Sequence, residues 1–117
     1  MGWDRRLWIR LAALSGLLSV AAGAFGAHGA DARAGELLKT GASYQMVHAL
    51  AALACMMLPG HRRAAPAAGL FLGGSVLFSG SLYALALGAP RVVGVLTPVG
   101  GLAFMAGWAA LAWAAGG

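Results

Sequence analysis

The sequence predicts an all-α fold, an integral membrane four-helix bundle with antiparallel, up-down-up-down helices. Three observations carry that expectation. First, the 117-residue chain is 61% hydrophobic and 9% charged, with a mean hydropathy of +0.81. A soluble domain of this size carries about 25% charged residues, so the polar surface is too small to cover a water-facing globule. Second, the apolar residues gather into four runs, each close to the ~20 residues a helix needs to cross ~30 Å of hydrocarbon. Third, no run alternates as a barrel strand does, and a backbone in lipid must satisfy its own hydrogen bonds, so the runs read as helices. All four fit a single transmembrane domain over 1–117.

The first span is expected at about 7–27. The stretch DRRLWIRLAALSGLLSVAAGAFGA also admits reading as an export signal. It has a basic start with paired arginines, an apolar middle and small residues near a cleavage point. Its apolar run exceeds the ~7–15-residue core of a usual signal, which favours a retained span. A loop follows over 28–39, HGADARAGELLK, with room for a short interfacial helix around Leu37 and Leu38. The second span covers 40–58, PGHRR turns the chain, the third span covers 66–87, GAPR turns it again, and the fourth covers 92–115. Within the fourth, Thr97 precedes Pro98, a pairing disfavoured inside a continuing helix and favoured as N-cap and first helical residue. Two readings follow: a regular helix starting at Pro98 after irregular chain, or a longer helix kinked at Pro98.

The net charge of +5 and pI near 10.8 come from cations scattered between apolar runs. That pattern marks topology and not a nucleic-acid footprint, so no nucleic-acid partner is expected. Arg5, Arg6, Arg10, Arg62 and Arg63 lie on one side, and Arg33, Lys39 and Arg91 on the other, with Asp31 and Glu36. The richer side is cytoplasmic, which puts both termini in the cytoplasm of a bacterial inner membrane. Trp3, Trp8 and Trp113 suit the inner interface. Cys55 is the single cysteine, so no intrachain disulfide forms, and in its apolar run it reads as a small buried hydrophobe.

The polar residues within the spans concentrate on the outer side. At ~1.5 Å of rise per residue, Tyr44 lies ~6 Å and His48 ~12 Å below the start of the second span. They share a face, with Gln45 beside them. On the third span Ser75, Ser79 and Tyr83 form one stripe, and depth places Ser79 level with His48 and Tyr83 level with Tyr44. Ser81 joins from a neighbouring face, Thr97 from the fourth span, and His28 from the outer rim. The candidate cluster is therefore His28, Tyr44, Gln45, His48, Ser79, Ser81, Tyr83 and Thr97. Such groups hydrogen-bond between helices to fix packing, or they line a site, since ionisable groups inside a membrane are functional candidates. Small-residue stripes, Ser15-Ser19-Gly23-Ala27 on the first span and Gly69-Gly73 on the third, permit close helix approach in the bundle or at a dimer seam.

The segments GAFGAHGA, YQMVHALAAL, LFSGSLYALALGA and GVLTPVGGLAFMAGW occur in that order and span nearly the whole chain. Together they resemble the YgdD-like family of small membrane proteins. The resemblance implies a four-helix inner-membrane protein and no established activity. Residues matching the family pattern are Gly26, His28, Gly29, Tyr44, Gln45, His48, Ser79, Gly80, Ser81, Tyr83, Thr97, Pro98, Gly100, Gly101 and Trp108. The chain departs from it at Gly88-Ala89, where the family often has a polar residue before the glycine.

The functional expectation is a non-catalytic accessory, structural or assembly component, with the bilayer, further copies or a larger membrane complex as partners. No cofactor and no metal site is expected. The alternative is binding of haem, copper or quinone, or transport of a small solute, at the His48-centred cluster. No HxxxH, CxxC or HxxM spacing supports a metal. Asp4, Asp31 and Glu36 all lie outside the spans, so proton coupling lacks an embedded acid. Ser79 or Ser81 with His48 lacks an acid to orient the histidine, and serines on membrane helices commonly bond to their own backbone. An enzyme is therefore not expected.

Overall fold

In a computed structural model, residues 4–116 are described; Trp3 lies outside them. Four long helices form: α1 (Arg5–His28), α2 (Ala32–Met57), α3 (His61–Ala86) and α4 (Leu96–Gly116), with a short 3-10 helix at Arg91–Val95.

Local chemistry sets the boundaries. Asp4 caps α1 by accepting from the Leu7 N–H, and Asp31 caps α2 by accepting from the Ala34 N–H. With Asp31 as cap, 32–39 supplies mostly good helix formers. The expected 28–39 loop therefore shrinks to Gly29–Asp31, and the stretch around Leu37 and Leu38 becomes the opening turns of α2. α2 ends at Leu58, which is extended ahead of Pro59. Gly60 (φ 70) and Gly88 (φ 101) take left-handed turns that other residues resist. Gly88 thereby closes α3 at the position where the family pattern differs, and the Ala89 N–H returns to the Ala84 carbonyl.

α3 begins five residues ahead of Pro66, because the Arg62 carbonyl that proline leaves unpaired lies at an exposed end. At α4 neither sequence reading holds as stated. The helix begins at Leu96, and a regular 3-10 helix precedes it in place of irregular chain. Pro98 costs nothing in a first turn, where N–H groups have no intrahelical acceptor.

Consecutive helices pack antiparallel. Arg5 at the start of α1 donates Nε–H to the Met56 carbonyl at the end of α2, 2.7 Å away, which satisfies one of that helix's terminal acceptors. At the opposite end, Gly26 of α1 lies against Gly35 and Leu38 of α2. The α3–α4 interface is equally close: a Cβ on Gly100 would collide with the Phe78 backbone nitrogen, and one on Gly107 would sit 2.7 Å from the Phe71 ring. The large interfaces are α1–α2, α2–α3 and α3–α4, while α1 touches α3 only lightly.

Much of the interior is built from small residues, and many large apolar side chains lie on the outside. The interior holds Ala12, Ala52, Ala67, Ala68 and Ser79, whereas Val76 is 72% and Trp113 81% exposed. Three segments, α1, α3 and 91–115, are long and apolar enough to cross a membrane. α2, expected as the second span, is not in that group, because Thr40, Ser43, Tyr44, Gln45 and His48 lower its hydropathy. It sits between α1 and α3 and buries the most residues of any helix. The polar helix is thus shielded by apolar neighbours.

Candidate functional site

Glycine builds the first part of the site. Gly41 on α2 lets the Tyr83 ring approach to a distance that any Cβ would occupy (2.6 Å). Its carbonyl also accepts from Ser79 Oγ at 2.7 Å. Ser79 is fully buried and is the one serine of its stripe whose hydroxyl crosses to another helix. Ser75 turns back to the Phe71 carbonyl and Ser81 to the Phe78 carbonyl, the local bonding expected of serines in helices.

The second part is a chain of three side chains on three helices. Tyr83 O–H donates to Gln45 Oε1 at 2.6 Å, and Gln45 Nε2–H donates to Ser15 Oγ at 3.1 Å. It ties α3 through α2 to α1. A third, separate contact joins Ser81 on α3 to Thr97 on α4 through their hydroxyls.

His48 occupies the fourth part. Its Nδ1 faces the Tyr44 carbonyl at 2.7 Å and its Nε2 faces Trp108 Nε1 at 3.1 Å. A carbonyl only accepts and an indole N–H only donates. The ring is therefore neutral, with its proton on Nδ1. Phe104 stacks on it with centroids 3.6 Å apart, and Phe71 lies 5.5 Å away. Tyr44 packs on Phe78 at 4.6 Å and is 46% exposed.

The eight candidate residues are thus not one constellation. Gln45 and Tyr83 meet, as do Ser81 and Thr97. Ser79 reaches Gly41 and not His48. Tyr44 offers His48 its backbone, and its ring joins the aromatic group. His28 is exposed at the end of α1. Six contributing residues lie outside the candidate cluster: Ser15, Gly41, Phe71, Phe78, Phe104 and Trp108. Trp108 carried a readable signal, since an indole N–H deep in an apolar span needs an acceptor, and Phe104 shares its helix face.

The cluster's donor set leaves little for a ligand. Among the described residues no group of three or more His, Cys, Asp or Glu is arranged to hold a metal. No buried side-chain nitrogen or oxygen there lacks a hydrogen-bond partner. Both nitrogens of His48 are committed, so coordination would require breaking the bond to Trp108. Cys55 is buried and free in the apolar core with Met56 and Phe71.

The chain is similar to curated proteins over most of its length. A UPF0382 membrane protein of Haemophilus influenzae is 44% identical over 112 residues, covering 91% of this chain and 90% of that one. One of Schizosaccharomyces pombe is 41% identical, covering 90% and 97%. The UPF0382 inner membrane protein YgdD of Escherichia coli K12 is 43% identical, covering 89% and 85%. No solved structure matches. Residues 22–101 match the family model described as "Protein of unknown function (DUF423)". With that match over most of the chain, and relatives above 40% identity, the chain belongs to the DUF423 family of membrane proteins.

Proposed function

We propose that the protein is a non-catalytic accessory component of the cytoplasmic membrane, crossing it with all four helices and keeping both termini in the cytoplasm. In this role it serves the assembly or integrity of a larger membrane complex. The observation that carries the reading is the commitment of His48. One ring nitrogen holds α2's own backbone and the other holds Trp108 of α4, so the most chemically able side chain of the spans is spent on packing. Ser79, Gln45 and Tyr83 are spent in the same way. The relatives' names as membrane and inner membrane proteins support the location, and the five-to-three division of cations supports the orientation.

The test is the absorption spectrum and metal content of the full-length protein purified in mild detergent, beside His48→Ala. The expected result is a colourless, metal-free wild type, and a variant that differs only in lower thermal stability. A Soret band or stoichiometric copper that disappears in His48→Ala overturns the reading in favour of ligand binding.

A further inference from the structure

Two open surfaces join along the face between α1 and α3. At the bundle end holding the chain's start, a cleft of about 730 Å³ is lined by Asp4, Arg5, Trp8, His61 and Arg62, among others. It continues into a groove of about 910 Å³ whose walls include Leu11, Leu14, Leu18, Leu72 and Val76. Trp8 and Gly69 line both. The groove exists because α1 and α3 barely touch, and because α3 shows it glycine: a Cβ added at Gly73 or Gly80 would meet nothing within 4 Å.

The cleft is cationic. Asp4 is its one carboxylate, and that group already caps α1 by accepting from Leu7. Arg5 spends Nε on Met56 and one terminal nitrogen on Met57 Sδ, keeping further N–H donors. Arg62 is exposed and has no hydrogen-bond or ion-pair partner among the described residues. Two guanidinium groups and an imidazole therefore stand at the head of a long apolar trough. Guanidinium donors match phosphate oxygens, and basic pockets between membrane helices take anionic headgroups.

We propose that this cleft and groove bind one anionic glycerophospholipid, its phosphate on Arg5 and Arg62 and an acyl chain along the α1–α3 groove. Charge selects this occupant. A second copy seated here would bring its own Arg5 and Arg62 toward the same cations. A water-soluble phosphate would leave the apolar trough unfilled. The proposal rests on membership of a membrane-protein family and not on the accessory reading.

The experiment measures lipid bound to the full-length protein in detergent by native mass spectrometry. It is titrated with phosphatidylglycerol or phosphatidylcholine of identical acyl chains, with glycerol 3-phosphate as competitor. Wild type retains one phosphatidylglycerol in preference to phosphatidylcholine, and glycerol 3-phosphate does not displace it. Arg62→Gln, which breaks no hydrogen bond or ion pair among the described residues, weakens phosphatidylglycerol about fivefold and leaves phosphatidylcholine unchanged. Gly73→Leu fills the groove and weakens both lipids. Equal retention of the two lipids by wild type, no effect of Arg62→Gln, or displacement by glycerol 3-phosphate overturns the proposal. A lipid-free protein that is still colourless and metal-free leaves the accessory reading standing. A haem band would sink that reading without touching the cleft.

Discussion

Trp108 on α4 donates its indole N–H to Nε2 of His48 on α2, across 3.1 Å. The bond joins two helices whose backbones lie apart, beside the stacking of Phe104 on the same histidine. It also fixes the histidine tautomer, because Nδ1 must then serve the Tyr44 carbonyl.

Trp108→Phe keeps the aromatic packing and leaves Nε2 of a buried histidine unpaired. The expected loss is about 1 kcal/mol, the scale of hydrogen bonds between membrane helices. His48→Ala also removes the stacking on Phe104 and opens a void, so it costs more, about 2–3 kcal/mol. Thermal unfolding in detergent, run as a double-mutant cycle, checks the pair. Strict additivity of the two changes would show that the bond carries no coupling.

The Ser15–Gln45–Tyr83 chain behaves as a unit. Tyr83→Phe removes one donor, and Gln45→Leu removes both links at once. Each single change is expected to cost about 1 kcal/mol, and Tyr83→Phe should add little once Gln45 is gone. Unfolding of the four proteins of this cycle decides it.

Glycines divide sharply by position. A Cβ at Gly100 meets the Phe78 backbone, which cannot yield as a side-chain tip does, and one at Gly26 meets Leu38 Cβ at 2.9 Å. Gly100→Ala forces α3 and α4 apart and should destabilise by several kcal/mol, beyond the ~1–3 kcal/mol usual for overpacking. Gly80→Ala meets open space and should stay within about 0.5 kcal/mol of wild type. Melting temperatures of the purified variants separate the two classes.

Topology is testable with fusions. A fluorescent protein at the C-terminus is expected to mature and glow, because the cation-rich loops stay in the cytoplasm. Alkaline phosphatase joined after Gly88 is expected to be active, since that turn faces outward in the same reading. Reversal of both signals would invert the orientation.

Equal depth below the span ends puts His48 level with Ser79 and Tyr44 level with Tyr83. In the structure Ser79 meets Gly41, Tyr83 meets Gln45, and Tyr44 turns its ring to Phe78. Thr40 is not the start of a helix, since α2 begins at Ala32, so depths counted from it do not set the register. The register between α2 and α3 is set instead where Gly41 admits the Tyr83 ring. A glycine shows no such role in a linear reading, because its significance lies in what approaches it. The stripe Gly69-Gly73 illustrates the converse: of two small residues with the right spacing, Gly69 takes the Trp8 ring and Gly73 faces an open groove.

Helical conformation, long apolar segments and the need of their polar groups for partners were legible in the amino-acid order alone. Those properties follow from hydrocarbon as a solvent, which acts on each segment separately through its length and its backbone hydrogen bonds. Which partner each group takes, that His48 is held by Trp108, and that α1 and α3 stand apart emerge first in the assembled bundle. Those outcomes depend on register and rotation between helices. Close contacts at a few glycines and aromatic rings fix both, and no periodicity within one helix encodes them.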